Sequence, residues 1–343
     1  MIYKLFIRPA LFLFDPESAH NFILNFFSKF RFMYPLLKFI YAPNIKNEIA
    51  VNNLKFKNYV GLAAGFDKNG TALGLWDCLG FSHAEIGTVT PLCQPGNDKP
   101  RIFRLKKDCA LINRLGFNNL GADKVRENIF EGRKLISKNF IVGVNIGKNK
   151  DTQIKDAVSD YKICFEKLYD AADYFTLNIS SPNTEGLRKL HEENYLNELL
   201  SELQYLNKNI SDLKSVSLKP VFLKIAPDLN FEMIQTVYKV AVKNNITGII
   251  ATNTTVERPD LKSDINENGG LSGKPLKKMS DKVLKKLFEM NEKNPGKKLT
   301  FIGAGGIFSR EDFLFKQKYG ASLVQIYTGF IYEGPGIIKK LLK

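Results

Sequence analysis

Short apolar runs alternate with helical patterns along most of this chain. The runs are VGLAA (60–64), AEIGTV (84–89), FIVGVN (140–145), YFTLNI (174–179), VFLKIA (221–226), GIIATN (248–253), TFIGAGG (300–306) and SLVQIYT (322–328). Most are followed by amphipathic stretches such as KDAVSDYKICFEKL and NFEMIQTVYKVAVK. Eight strand–helix units predict an α/β fold closed into a (β/α)8 TIM barrel, with a doubly wound sheet as the alternative. The length of 343 residues suits one large barrel with an appendage.

The ends of the runs carry the functional signal. Lys68 lies shortly after the first, and Thr88, Asn145, Asn178, Lys224, Asn253 and Thr328 stand at or near the ends of the others. Any one could be an ordinary polar residue at a strand end. Together, at the C-terminal mouth of a barrel, they would converge on one cavity, where barrel enzymes keep their active sites. IGAGGIFS (302–309) adds a glycine-rich turn between the seventh strand and its helix. Loops after strands seven and eight are the usual phosphate site of a barrel, where small residues let a phosphate approach backbone N–H groups. The ligand expected there is phosphorylated, and flavin mononucleotide (FMN) fits.

Lys224 is anomalous inside VFLKIAP. A buried ammonium needs a partner or a polar cavity. It could form a Schiff base, as in an aldolase barrel, or stand as a fixed positive charge beside a ring that becomes anionic on reduction. The abundance of asparagines favours the second, because amides recognise a planar ring with amide edges. The stretch LNISSPNTEG (177–186) presents two serines at a strand end. Ser181 precedes a proline and could simply bond its own turn.

Residues 1–41 differ from the rest. They hold nine Phe and three Tyr, with five Lys or Arg and two acids. Asp15-Pro16-Glu17 reads as a helix start, followed by Ala19, Phe22, Ile23, Phe26, Phe27 and Phe30 at helical spacing. Pro35 introduces a second short helix, LLKFIY, and APNIKNE (42–48) reads as turn. Two Phe-rich helices with basic flanks suit a membrane interface, with core packing as the competitor. The stretch is too short and broken to span a bilayer, and no signal-peptide cleavage pattern follows. The formal charge is +15, which suggests anionic partners. The lysines are scattered, so nucleic acid is not expected. The four cysteines are widely spaced and read as buried or partly buried thiols, and three histidines make a metal site hard to build.

The motif series LAAGFDKNG (62–70), EIGTVTP (85–91), RLGFNN (114–119), GVNIGKN (143–149), LNISSPNT (177–184), LKIAPDL (223–229), ATNTT (251–255), GGLSGKP (269–275), GAGGIFS (303–309) and LVQIYTGF (323–330) resembles that of dihydroorotate dehydrogenases, in order and across essentially the whole chain. It is similar to the quinone-linked, membrane-associated class (class 2). The soluble class carries cysteine where Ser181 stands and lacks the N-terminal extension.

The resemblance implies oxidation of dihydroorotate to orotate in pyrimidine biosynthesis, with FMN taking hydride and a membrane quinone taking the electrons. Ser181 would be the base at C5 of dihydroorotate, and because a hydroxyl is a poor base its proton would pass on by a relay through water, with Thr184 the nearest candidate partner. Lys68, Asn113, Arg114, Leu115, Gly116, Phe117, Asn178, Asn183, Asn253 and Thr254 would contact substrate. Ala64, Gly65, Phe66, Asp67, Lys68, Thr88, Asn145, Asn178, Lys224, Thr252, Gly273, Gly306, Tyr327 and Thr328 would hold FMN. His20, Arg104 and Tyr327 would lie near the quinone. Residues 1–41 would be the extension and 42–343 the barrel, attached peripherally to the cytoplasmic face of the cell inner membrane. No metal and no obligate protein partner are implied. A fumarate- or NAD-linked relative is disfavoured by Ser181 and by the missing cluster ligands. Whether the polar loop over 257–270 is a moving lid or an ordered cover stays open at this stage.

Overall fold

The computed structural model describes residues 2–44, 48–184 and 186–343, so part of the APNIKNE turn and Glu185 lie outside the described residues. The eight expected runs form eight parallel strands: Val60–Leu62, His83–Val89, Ile141–Ile146, Tyr174–Asn178, Val221–Ile225, Gly248–Ala251, Thr300–Ala304 and Ala321–Ile326. They pair in sequence order, and the eighth returns to the first to close the barrel. The doubly wound alternative is thereby excluded.

Strand periodicity explains the interior. Alternate side chains point inward. At the lower end they are apolar: Ile141, Tyr174, Phe222, Ile250, Ile302 and Leu323 form a buried cluster with Val51 and Phe56. The last two come from an antiparallel hairpin, Ile49–Val51 with Leu54–Phe56, which plugs the bottom. Two residues further along several of the strands, the inward positions become polar: Glu85, Thr176, Lys224 and Gln325. Glycines make room beside the largest interior rings. A Cβ on Gly143 would lie 2.0 Å from the Tyr174 ring, and one on Gly61 would lie 2.0 Å from the His83 ring.

A three-stranded antiparallel sheet, not foreseen from the sequence, stands over the barrel mouth: Ile102–Leu105, Ala110–Asn113 and Gly270–Gly273. The polar loop before Gly270 is tied to this sheet and its neighbours. The Asp108 carboxylate accepts from the Lys262 and Ser263 backbone N–H groups at 2.7 and 3.1 Å. Arg114 pairs with Glu267, and Arg258 donates to the carbonyls of Glu267 and Gly269.

The N-terminal segment forms helices at Pro16–Lys29 and Tyr34–Tyr41, preceded by helical turns at Tyr3–Ile7 and Arg8–Leu11. Asp15 caps the first long helix, accepting from Ser18 N at 2.8 Å. The apolar positions read as one face serve two surfaces. Ala19, Ile23 and Phe27 face the barrel side, whereas Phe22 is 62% exposed and Phe30 42%. The segment is tied to the barrel by Tyr3 Oη to Ile331 O, Lys4 to Glu333 and Glu17 to Arg101. Among the described residues no helix is long and apolar enough to cross a membrane. Of the cysteines, Cys93 departs from expectation and is exposed, because its loop lies on the surface.

All three histidines are desolvated, and burial is the main cause that pulls each imidazole down to about 4. A histidine kept neutral in the fold contributes stability that is complete above its unfolded pKa of about 6.5 and is lost as pH falls toward 4. The denaturation midpoint should therefore drop between pH 6.5 and 4, before most carboxylates titrate. His83→Asn should flatten part of that drop, since His83 is fully buried with Nε2 unpartnered. An unchanged slope would remove His83 as a cause.

Candidate active site

The upper interior layer is built around one carboxylate. Glu85 is fully buried in the second strand. It accepts from Asn145 Nδ2 at 2.8 Å, Gln325 Nε2 at 2.8 Å, Thr176 Oγ1 at 3.1 Å, Tyr174 Oη at 3.4 Å and Lys224 Nζ at 3.4 Å. Burial opposes its charge, but Lys224 first and these donors next hold its carboxyl below the usual range. Lys224 is thus the buried partner of Glu85 and also reaches the cavity above. The pair argues against imine chemistry at Lys224, because an ammonium held by a carboxylate has no free lone pair.

A hydrogen-bond chain runs from this layer into the cavity. Asn145 Oδ1 accepts from Thr88 Oγ1 at 2.6 Å, and Thr88 Oγ1 accepts from Asn178 Nδ2 at 2.8 Å. Asn253 Nδ2 donates to Asn178 Oδ1 at 3.3 Å and to Ser180 Oγ at 2.9 Å. Register explains the convergence: Asn178 lies opposite Lys224, and Asn145 opposite Thr176, on adjacent strands. Each amide thereby has a fixed orientation.

The cavity is lined by Ala64, Gly65, Lys68, Thr88, Asn113, Leu115, Gly116, Phe117, Asn178, Ser181, Asn183, Lys224, Thr252, Asn253, Thr254, Gly273, Gly306, Tyr327 and Thr328. Asn145 sits beneath it, bonded to Thr88. Five residues lie elsewhere. Both carboxylate oxygens of Asp67 are used within its own loop, by the N–H groups of Thr71 and Ala72 and by Trp76 Nε1. Phe66 packs edge-on against His20, Trp76, Tyr327 and Phe330. The Arg114 side chain turns outward to Glu267. Arg104 and His20 line a second, apolar cavity.

Glu85 and Gln325 were missed from sequence. Both carried the signal that marked Lys224, a polar residue within an apolar strand. Gln325 lines the cavity, and its buried Oε1 has no partner. Gly305 and Ser272 also line it, and Ser272 Oγ lies 2.8 Å from Thr328 Oγ1.

The donor set fits a flavin phosphate and ring. Gly306 has φ of +73°, and a Cβ there would come 2.6 Å from Lys277 Cα, so only glycine keeps this loop open to an approaching phosphate. Lys224, the oriented amides and the unpartnered Gln325 Oε1 supply charge, donors and an acceptor for a ring with amide edges.

Ser181 is buried in the loop after the fourth strand, and its Oγ accepts from Asn183 N at 3.2 Å. Asn183 Nδ2 donates to Asn113 O at 3.1 Å, linking this loop to the sheet above the mouth. Thr184 Oγ1 is buried without a partner. Lys68 stands in the same wall, its ammonium drawn down to about 8 chiefly by burial.

The second cavity, about 290 Å³, lies between the extension and the barrel. Ile23, Leu24, Phe27, Leu37, Trp76 and Phe330 give it an apolar lining, with His20 and Arg104 as polar exceptions. Arg104 donates to Phe14 O at 2.8 Å and stacks over Phe12. Tyr327 lines both cavities. Among the described residues no group of three or more His, Cys, Asp or Glu is placed to hold a metal.

Removing Lys224 should expose how the Glu85 layer is balanced. Lys224→Met leaves a buried carboxylate without its cation and should destabilise the protein by about 3–5 kcal/mol. Adding Glu85→Gln should recover much of that loss in denaturant titrations. A double variant no more stable than Lys224→Met would show that the two do not act as a pair.

A family model described as dihydroorotate dehydrogenase matches residues 47–343. The chain is 48% identical to the dihydroorotate dehydrogenase (quinone) of Christiangramia forsetii, covering 99% of this chain and 97% of that one. It is 46% identical to the protein of the same name from Vibrio parahaemolyticus, covering 100% of this chain and 99% of that one. A crystal structure of DHODH from Eimeria tenella in complex with ferulenol superposes with a TM-score of 0.86 at 35% identity, covering 95% of this chain and 89% of that one.

Proposed function

The chain belongs to the dihydroorotate dehydrogenase family and is an oxidoreductase, and from that premise we propose that it oxidises dihydroorotate to orotate, as a step of pyrimidine biosynthesis, with FMN in the barrel mouth and a membrane quinone as final acceptor. The observation that carries the reading is the convergence of Lys68, Asn113, Asn178, Ser181, Asn183, Lys224, Asn253 and Thr254 on one cavity that also contains the Gly306 loop.

Bound there, FMN supplies a two-electron acceptor that can hand the pair to a second substrate. The protein's part is to bind, orient and move a proton. Gly273, Gly306 and Thr328 would hold the phosphate end, and Ala64, Gly65, Thr88, Asn145, Lys224 and Thr252 the ring. Asn113, Asn178, Asn183, Asn253 and Thr254 would fix the pyrimidine amides and carboxylate. Lys68 would add a positive charge for that carboxylate. Ser181 Oγ would take the proton from C5 while hydride leaves C6, which creates the C5–C6 double bond. The Asn183 N–H group holds the serine oxygen in place and stabilises negative charge on it. A hydroxyl is a weak base, so the proton must move on. Thr184, buried nearby in sequence with no partner, is the proposed next acceptor.

The electron exit is proposed through the apolar cavity. Its lining suits a lipid-soluble ring, and its shared wall with the polar cavity, Tyr327, keeps the two substrates apart but close. The extension's outer face supports peripheral membrane attachment. Phe14, Phe22, Phe32, Leu36 and Phe39 are all more than half exposed. Residues 1–41 are therefore proposed as the quinone and membrane element, and 42–343 as the FMN barrel, at the cytoplasmic face of the inner membrane.

The deciding experiment is anaerobic addition of dihydroorotate to the purified yellow protein, which should bleach the flavin. Ser181→Ala should slow that bleaching by roughly 10²–10⁴-fold, the range for a positioned acid–base group. Near-normal bleaching would remove Ser181 from the proton transfer. Deleting residues 1–41 should abolish quinone reduction while flavin content stays largely intact. Retained quinone turnover would refute the role given to the extension.

A further inference from the structure

The helix Pro16–Lys29 lines the apolar cavity and, through a different residue, braces the backbone that lines the polar one. His20, Ile23 and Phe27 line the apolar one. Glu17, in its first turn, reaches the other side. It is buried, and so is its partner Arg101. The pair is bidentate: Arg101 Nε donates to Oε2 at 2.9 Å and Nη2 to Oε1 at 2.6 Å. Arg101 is the chief reason that the Glu17 carboxyl is held below its usual range.

Arg101 does more than dock the helix. Its Nη1 donates to the carbonyls of Pro95 and Asn97, each at 2.7 Å. Asn97 in turn donates through Nδ2 to Arg114 O at 2.9 Å and through its backbone N–H to Leu115 O at 3.1 Å. Arg114 N closes the ring by donating to Arg101 O at 2.9 Å. The backbone held this way carries Asn113, Leu115, Gly116 and Phe117 into the polar cavity.

We infer that Glu17 is a positioning residue for the anionic substrate: through Arg101 it fixes the 113–117 segment. This rests on the reading of the polar cavity as the dihydroorotate site. The extension then serves both half-reactions, and not only the one that uses quinone. The physical reason is the desolvated setting. A bidentate pair at low dielectric fixes geometry, and removal of one partner leaves the other unpaired.

The Glu17 charge also bears on Lys68, with a definite sign. The titratable or charged groups around Lys68 are Glu17 and His20 from the extension, Asp67 beside it in the chain and Arg101 before the Ile102–Leu105 strand, with Tyr327 in the same wall. Burial and Arg101 favour the neutral amine, whereas Glu17 and Asp67 favour the ammonium. Loss of the Glu17 charge moves the Lys68 transition to lower pH. Affinity for an anionic substrate then falls away earlier as pH rises.

The test uses the FMN-loaded full chain under anaerobic conditions. The dihydroorotate concentration dependence of flavin bleaching is measured between pH 6 and 9, with no quinone present. Orotate affinity is read from the flavin absorption shift. Glu17→Gln should weaken both affinities roughly 5-fold or more at pH 8, the lower range of ordinary coupling between sites. The limiting bleaching rate should change little, and the pH at which affinity falls should move down. Asn21→Ala, solvent-facing on the same helix, should match the wild type. If Glu17→Gln fails to fold, Arg101→Lys carries the test, because lysine cannot span Glu17 and both carbonyls. Wild-type dihydroorotate affinity and pH profile in the folded variant would overturn the inference, as would an equal effect of Asn21→Ala. If dihydroorotate fails to bleach the wild-type flavin, the substrate assignment itself falls, a result distinct from either outcome.

Discussion

A buried carboxylate at the centre of the barrel sets the terms for everything above it. Glu85 has no solvent, so its charge survives only through Lys224 and four neutral donors supplied by neighbouring strands. That requirement constrains strand register, since donors from separate strands must converge on one carboxylate. It also fixes the floor below. An apolar plug from the Ile49–Phe56 hairpin keeps water from the carboxylate, and the polar layer then faces only one way, toward the mouth. The hydrogen-bond chain through Asn145, Thr88, Asn178 and Asn253 carries this order outward to the cavity lining. Low dielectric makes such a network costly when broken and precise when complete.

The rest of the molecule is arranged around keeping two unlike cavities adjacent. One is lined by amides, hydroxyls and lysines, and the other mostly by aliphatic and aromatic side chains. Tyr327 and the Phe66 cluster form the partition. The helix Pro16–Lys29 achieves its side of this with a wide apolar surface. Ala19, Ile23 and Phe27 turn inward, and Phe22 and Phe30 remain for whatever lies outside. A helix apolar on two faces leaves the apolar surface of the second uncovered when only the first is docked. The buried Glu17–Arg101 pair supplies specificity of docking where apolar contacts alone would allow sliding.

Some features were legible because they are local. Eight apolar runs with polar ends gave the barrel and brought most of the cavity lining together, since inward direction follows from period-two alternation and the C-terminal rim from chain direction. Lys224 stood out because a lysine inside an apolar strand is energetically anomalous. Glu85 and Gln325 carried the same anomaly, but their role depends on which strands face each other across the barrel. The sheet over the mouth was not legible. Asn113 and Gly270 are paired across 157 residues, and no local pattern encodes such a contact. The motifs also blurred roles: Asp67 lies among cavity residues in sequence, yet its carboxylate serves the turn that positions Lys68.

The sequence by itself therefore determined the number and order of the barrel strands, the polar rim, the glycine at 306 and the aromatic character of the extension, because propensity, periodicity and hydrophobicity act between near neighbours. Tertiary structure alone decided which charges pair, which face of the extension helix is inside, and that a separate sheet covers the barrel mouth. Those are questions of distance across the fold, and a buried charge or an apolar face finds its partner only once the chain has closed.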